Sequence, residues 1–204
     1  MNSCEIIEGP QGDDIWMKLR TGSIGASSMS KIITSVGKAS TQRKGYLYQM
    51  TAETMTGEKT ESYSNQNMEN GLTREQETLD AFSFITGMQI RPVSLIKPGN
   101  GMAYHCSPDS IVVDKEEGVE VKSVIPATQV KYLDKKVLPS AYRLQCQFSL
   151  MVTGWNIWHF FSYHPALPPL HIVVKRDEKL ITIIKDEVAR FLSDLDTLVT
   201  QLKS

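Results

Sequence analysis

The hydrophobic pattern changes period at Gly87, and that change limits the folds open to the chain. Before it, Leu72, Leu79, Phe82 and Ile85 recur at helical spacing over residues 67–86. After it, residues 89–97, 103–113 and 118–124 read as three strands, separated by Pro98–Gly101 turn chemistry and by residues 114–117. Helical patterns return over 126–133 and 140–153. Two apolar, aromatic strands follow at 155–163 and 170–176, broken by Pro165, Pro168 and Pro169. An amphipathic helix closes the chain, with Val188, Leu192, Leu195, Leu198, Val199 and Leu202 on its apolar stripe. Helices, three strands, helices, two strands and a helix predict an α/β fold, with a mixed central β-sheet flanked by helices.

The first 86 residues add helices only. Residues 1–13 are polar and Gly-rich and read as a lead-in or arm. Ile15, Trp16 and Leu19 fit a short helix capped by Asp13 or Asp14. Gly22 and Gly25 punctuate the chain before a second helix that begins near Ser27 and carries Met29, Ile32 and Ile33. A polar loop at 35–45, a helix at 46–55 and a polar loop at 56–66 complete this half. No linker or repeat divides the 204 residues. One domain is therefore expected over 1–204: a helical part at about 11–86, a sheet core at about 87–176 and the C-terminal helix at about 179–203.

Charge matters here for its distribution. Lys and Arg number 22 against 23 Asp and Glu, so a surface uniformly basic toward nucleic acid is excluded. Local excesses persist: residues 129–147 hold Lys131, Lys135, Lys136 and Arg143 against Asp134 alone, and Lys31, Lys38, Arg43 and Lys44 form a second basic stretch. These suit phosphates, or simply a solvated face. Cys4, Cys106 and Cys146 show no CxxC spacing and are too few for a four-cysteine iron–sulfur cluster, which favours reduced thiols. His105, His159, His164 and His171 show no ligand spacing and read as structural. With no leader pattern and no apolar run of membrane-spanning length, a soluble cytoplasmic protein is expected.

The chemistry concentrates in Cys106-Ser107-Pro108-Asp109 and Glu120-Val121-Lys122, with ten residues between Asp109 and Glu120. On a strand, residues two apart share a face, so Glu120 and Lys122 point one way while Val119 and Val121 face the core. Pairing of the two strands brings Asp109 beside Glu120. Two hard carboxylates at one point suit Mg²⁺, and an adjacent ammonium suits orientation of a water against a phosphodiester. The same residues also fit plainer roles: Asp109 as a turn cap after Pro108, and Glu120 with Lys122 as a strand salt bridge.

Four blocks in one order carry a resemblance. They are Gly12–Arg20 with Gly22 and Ile24-Gly25-Ala26-Ser27, then Gly71-Leu72-Thr73-Arg74-Glu75, then the Asp109/Glu120/Lys122 motif, and finally the helix from Tyr142 to Thr153 with Gln145 and Gln147. The chain resembles the PD-(D/E)xK nuclease superfamily and, within it, the lambda-type phage exonucleases or YqaJ-like viral recombinases. The likeness runs from about Gln11 to the C-terminal helix.

The resemblance implies a restriction-endonuclease-like core and a phage or prophage protein acting in a bacterial host cell. Its activity would be Mg²⁺-dependent 5′→3′ exonucleolysis of duplex DNA by a two-metal mechanism, with Mn²⁺ as a substitute, leaving 3′ overhangs for recombination. Asp109 and Glu120 would hold metal together with the Val121 backbone carbonyl, Lys122 would position the attacking water, and Glu75 would approach from its helix. Arg20, Ser27, Ser107 and Gln145 would bind the 5′-phosphate end. Each of these has a second fit, Arg20 as a helix C-terminal cation and Ser27 as an N-cap. Expected partners are double-stranded DNA ends, two further copies in a homotrimeric ring and a single-strand annealing protein, with no membrane. A structure-specific or restriction-type endonuclease, or a non-catalytic DNA-binding adaptor, are the alternatives.

Overall fold

The computed structural model describes residues 4–59 and 66–204, with side chains resuming at residue 74. Strand β1 (Cys4–Ile7) leads to helix α1 (Asp14–Arg20), strand β2 (Ile24–Gly25), a 3-10 turn at Ala26–Ser28 and helix α2 (Met29–Ile32). Helices α3 (Arg43–Thr56) and α4 (Gln66–Thr86) follow, then β3 (Ile90–Arg91), β4 (Leu95–Pro98), β5 (Tyr104–His105), β6 (Ser110–Val112) and β7 (Glu117–Ser123). The remainder is α5 (Pro126–Lys135), α6 (Ser140–Thr153), β8 (Ile157–His164), β9 (Leu167–Lys175) and α7 (Glu178–Lys203).

Five strands form the central sheet in the order β3-β6-β7-β8-β9. Only β7 and β8 run parallel, so the sheet is mixed, as the alternation of helices and strands predicts. One face carries Val112, Val119, Val121 and Phe161 against Phe82 of α4. The larger core lies on the other face, where Trp158 and Phe160 meet α6 residues including Leu144 and Phe148. Trp158 packs so closely on β7 that a Cβ at Gly118 would lie 2.3 Å from its ring. The α7 stripe of Leu180, Ile184, Val188, Phe191 and Leu195 is buried, and Phe191 stacks on Tyr46 of α3 at 5.4 Å between centroids.

Several expected strands differ in extent. The 89–97 segment splits into β3 and β4 around Pro92, and 103–113 splits into β5 and β6 around Pro108, because proline has no N–H to continue a ladder. The four pieces do not share one sheet: β4 pairs with β1, and β5 pairs in parallel with β2. Residues 4–7, read as part of a lead-in, are thus a paired strand. Conversely, Pro168 and Pro169 do not break β9, which begins at Leu167. As the last strand of the sheet, β9 leaves one side without a ladder to interrupt. Of the polar loop read at 56–66, residues 60–65 lie outside the described residues.

Candidate active site

Alternation along β7 sets the site. Val119 and Val121 enter the α4-side core, so Glu120 and Lys122 face α6. Glu120 is 2% exposed, and its Oε1 lies 2.5 Å from Lys122 Nζ. The Lys122 ammonium also lies 5.6 Å from the Tyr142 ring of α6, whose phenol burial pushes up to about 12.

Asp109 arrives from the break at Pro108. Its own N–H still donates to Val119 O (3.1 Å), continuing the β6–β7 ladder, while its Oδ2 accepts from Val121 N–H at 2.7 Å. An extended residue sends its N–H and C=O to the same side. The Val121 carbonyl is therefore directed to the edge where Asp109 sits and where β6 has not yet begun. Gln11 Nε2 donates to Pro108 O (2.8 Å) and Val93 O (3.0 Å), tying the loop to the N-terminal segment.

Burial pushes the Asp109 carboxyl well above the ordinary carboxylate range, and the Glu120 and Glu75 charges add to the rise against the Lys122 ammonium. Burial alone would lower Lys122, but Glu120 and Asp109 raise it further than burial depresses it. Two crowded carboxylates share one ammonium, so a cation bound between them would favour the ionised form of Asp109 that burial and Glu120 oppose. That, and a donor set made only of hard oxygens, fits Mg²⁺, which keeps several waters and takes few protein ligands. Among the described residues no three His, Cys, Asp or Glu side chains form a closed metal cage.

The cleft at this point has a volume of about 250 Å³. Its walls bring together Asp109, Glu120 and Lys122 with Arg20, Ser27, Ser107 and Gln145. These are all the candidate side chains read from the sequence save Glu75. Glu75 is half-buried on α4 and off the cleft wall, but within electrostatic reach of its ions: burial raises its carboxyl, Lys122 opposes this and Glu120 adds to it.

Arg20 ends α1, and its guanidinium lies 3.8 Å from the centre of the Trp16 ring one turn earlier. Burial is the main influence lowering its pKa, and its Nε has no hydrogen-bond acceptor among the described residues. Trp16 Nε1 donates to Ser94 O (3.1 Å) and Ser107 Oγ (3.3 Å), so the stacking platform is itself fixed. The turn after Arg20 is held by Glu53, which accepts from Gly22 N–H (3.4 Å), Gln49 Nε2 (2.9 Å) and Lys59 Nζ (3.0 Å).

Gln11, Trp16 and His105 line the cleft without having been read as site residues. Trp16 had a usable signal, since an aromatic four residues before an arginine on a helix shares its face. Two members of the basic stretches are engaged elsewhere: Arg43 pairs with Glu187 (2.8 Å) and Asp194 (3.3 Å), and Arg143 with Asp177 (2.8 Å).

Fold and cleft together define a mixed α/β protein with a carboxylate–lysine centre beside a cationic pocket. The chain belongs to the YqaJ-like viral recombinase domain family, whose model matches residues 15–156. It is similar to the alkaline exonuclease LHK-Exo of Laribacter hongkongensis, at 25% identity and a TM-score of 0.83, covering 94% of this chain and 96% of that one. The same enzyme in complex with dAMP matches at 26% identity and 0.82. A phage-related exonuclease of Haemophilus somnus 129PT shares the fold, at 14% identity and 0.65 over 88% of this chain and 96% of its own. By sequence, the chain is 30% identical over 70 residues to the uncharacterised protein ExoD of Escherichia coli K12, covering 33% of this chain and 80% of that protein. No helix among the described residues is long and apolar enough to cross a membrane.

Proposed function

We propose that the chain is a Mg²⁺-dependent 5′→3′ exonuclease that degrades one strand of duplex DNA from its end and leaves 3′ single-stranded overhangs for recombination. Membership of a viral recombinase family and likeness to an alkaline exonuclease support a phage-type exonuclease. The observation that carries the reading is one cleft walled by Asp109, Glu120 and Lys122 together with Arg20, Ser27, Ser107 and Gln145. The dAMP bound by the relative is a nucleoside monophosphate, the size of product expected from stepwise cleavage.

Asp109, Glu120 and the Val121 carbonyl would hold the metal, with Glu75 near enough to engage a second ion or a water. When bound, divalent metal supplies Lewis-acid polarisation of the phosphoryl group and a nucleophilic water near neutral pH. Lys122 orients the attacking water and offsets charge that builds on the phosphorus oxygens. Arg20 presents a fork suited to two oxygens of a terminal phosphate, and Trp16 holds that fork in plane. Ser27, Ser107 and Gln145 add neutral hydrogen bonds. The alternative of an endonuclease gives no role to this second cluster. A homotrimeric ring and a single-strand annealing partner belong to the same reading and rest on the family resemblance.

The test compares linear and covalently closed duplex DNA in Mg²⁺ and in EDTA. Loss of linear DNA alone, and only with Mg²⁺, is expected. Equal cleavage of both forms, or degradation in EDTA, overturns the reading.

A further inference from the structure

On the α4 side of the sheet, off the cleft wall, three titratable side chains without a part in the proposed chemistry form a hydrogen-bonded chain across three strands. His159 of β8 is 2% exposed, and its Nε2 lies 2.9 Å from Glu117 Oε2 of β7. Its Nδ1 lies 2.9 Å from Nε2 of His171 on β9. Phe82 of α4 is fully buried and packs on both rings, with its centroid 5.7 Å from that of His159 and 5.5 Å from that of His171. Lys115 also faces the chain, its ammonium 4.0 Å from Glu117 Oε2, while α4 turns Leu79 and Phe82 to this side, neither of them ionisable.

Geometry limits the protons this chain can hold. A carboxylate only accepts, so His159 Nε2 carries the hydrogen that it donates to Glu117. Neutral His159 then has a lone pair at Nδ1, which accepts from His171 Nε2–H and leaves His171 Nδ1 to take a proton. One imidazolium is tolerated, because Glu117 offsets its charge. A second proton goes to His159 Nδ1 and sets two N–H groups against each other, so that no hydrogen bond remains between the rings. Two imidazoliums beneath Phe82 would also need water that the closed packing excludes. Burial, and next the charge of His159, lower the His171 pKa. The unfolded chain therefore takes up a proton that the folded chain resists. The stabilising contribution is complete above the ordinary value of 6.5 and is lost as pH falls through the lowered folded value.

We propose that Glu117, His159 and His171 are a proton-sensitive latch beneath α4: with at most one imidazolium the chain is closed and seats Phe82, and a second proton opens it and loosens α4 from the sheet. Glu75 stands seven residues before Phe82, two turns back on the same face of the helix, so the seat of Phe82 bears on how Glu75 approaches Glu120 and Lys122. That link rests on the proposed nuclease centre, whereas the latch itself does not.

The test is amide hydrogen exchange of the metal-free, full-length chain at pH 8 and pH 5, corrected for the intrinsic rate at each pH. Because it needs neither metal nor turnover, failure of the latch is distinguished from failure of the nuclease reading, which is decided by Mg²⁺-dependent degradation. Between the two pH values, protection in the C-terminal half of α4 is expected to fall about tenfold more than protection in α6. His171→Gln, whose amide N–H can still donate to His159 Nδ1 but takes no proton, is expected to keep the two helices level. Wild-type imidazole nitrogen shifts give a second readout that needs no variant. At pH 8 His159 should carry its hydrogen on Nε2 and accept at Nδ1, and on acidification the two rings should titrate in two separated steps. Equal loss of protection in α4 and α6, or independent titration of both rings near the ordinary value of about 6.5, overturns the proposal. So does a loss confined to α4 that persists undiminished in His171→Gln.

Discussion

Val121 N–H donates to Asp109 Oδ2 at 2.7 Å, so the strand that carries Glu120 and Lys122 also holds the carboxylate that faces them. The bond spans the gap left where Pro108 interrupts the chain between β5 and β6. A break in pairing thereby becomes a fixed acidic centre, with the side chain of Asp109 standing where a neighbouring strand's carbonyl would otherwise lie.

That centre trades stability for chemistry. Burial and Glu120 both oppose ionisation of Asp109. Asp109→Asn keeps an oxygen for Val121 N–H while removing the crowded charge. It should raise the metal-free melting temperature and lower Mg²⁺-dependent nuclease activity by about 10³-fold or more. A calorimetric scan and a turnover assay on one preparation check both directions.

Arg20 should not tolerate its nearest chemical relative. Arg20→Lys keeps the charge but loses the fork and most of the stacking on Trp16. Affinity for 5′-phosphorylated duplex should fall about tenfold, with a smaller change on hydroxylated ends. Titrating both duplexes against the variant measures the difference.

Gly118 is a packing requirement of β7. A Cβ there meets three Trp158 ring atoms at 2.3–2.5 Å. Gly118→Ala should cost about 3 kcal/mol in urea unfolding, through overpacking that displaces the strand bearing Glu120. Activity should fall with it. An unchanged urea midpoint counts against the Trp158 contact.

His105 makes stability depend on pH. Its folded pKa of about 3 lies below the ordinary value of 6.5, so the unfolded chain binds a proton that the folded chain does not. This contribution is complete above pH 6.5 and is lost as pH falls from 6.5 toward 3, at up to about 1.4 kcal/mol per pH unit. Urea unfolding at pH 7.5, 6 and 5 should show a steeper decline for wild type than for His105→Gln. Parallel declines contradict it.

How much of this was legible in advance depends on whether the signal was local. The common face of Glu120 and Lys122 follows from strand alternation alone, and the mixed sheet follows from the order of helices and strands. The cap of α1 was equally readable: Asp13 accepts from Trp16 N–H at 2.7 Å. What escaped was set by distant partners. Residues 4–7 lack a strong strand pattern but pair along β4, and Gln11 gains its task from carbonyls at positions 93 and 108. Pro168 and Pro169 read as breakers because nothing local marks β9 as an edge strand. His105 read as structural, and its place in the cleft wall depends on β2 and β5 lying side by side.

The most direct measurement follows a duplex labelled at the 5′ end of one strand or at its 3′ end, in Mg²⁺, for wild type and Asp109→Asn. The 5′ label should leave first as a mononucleotide while the 3′ label stays in long product, and neither should be released by the variant. Earlier release of the 3′ label, or undiminished release by Asp109→Asn, would contradict a 5′→3′ exonuclease centred on Asp109, Glu120 and Lys122.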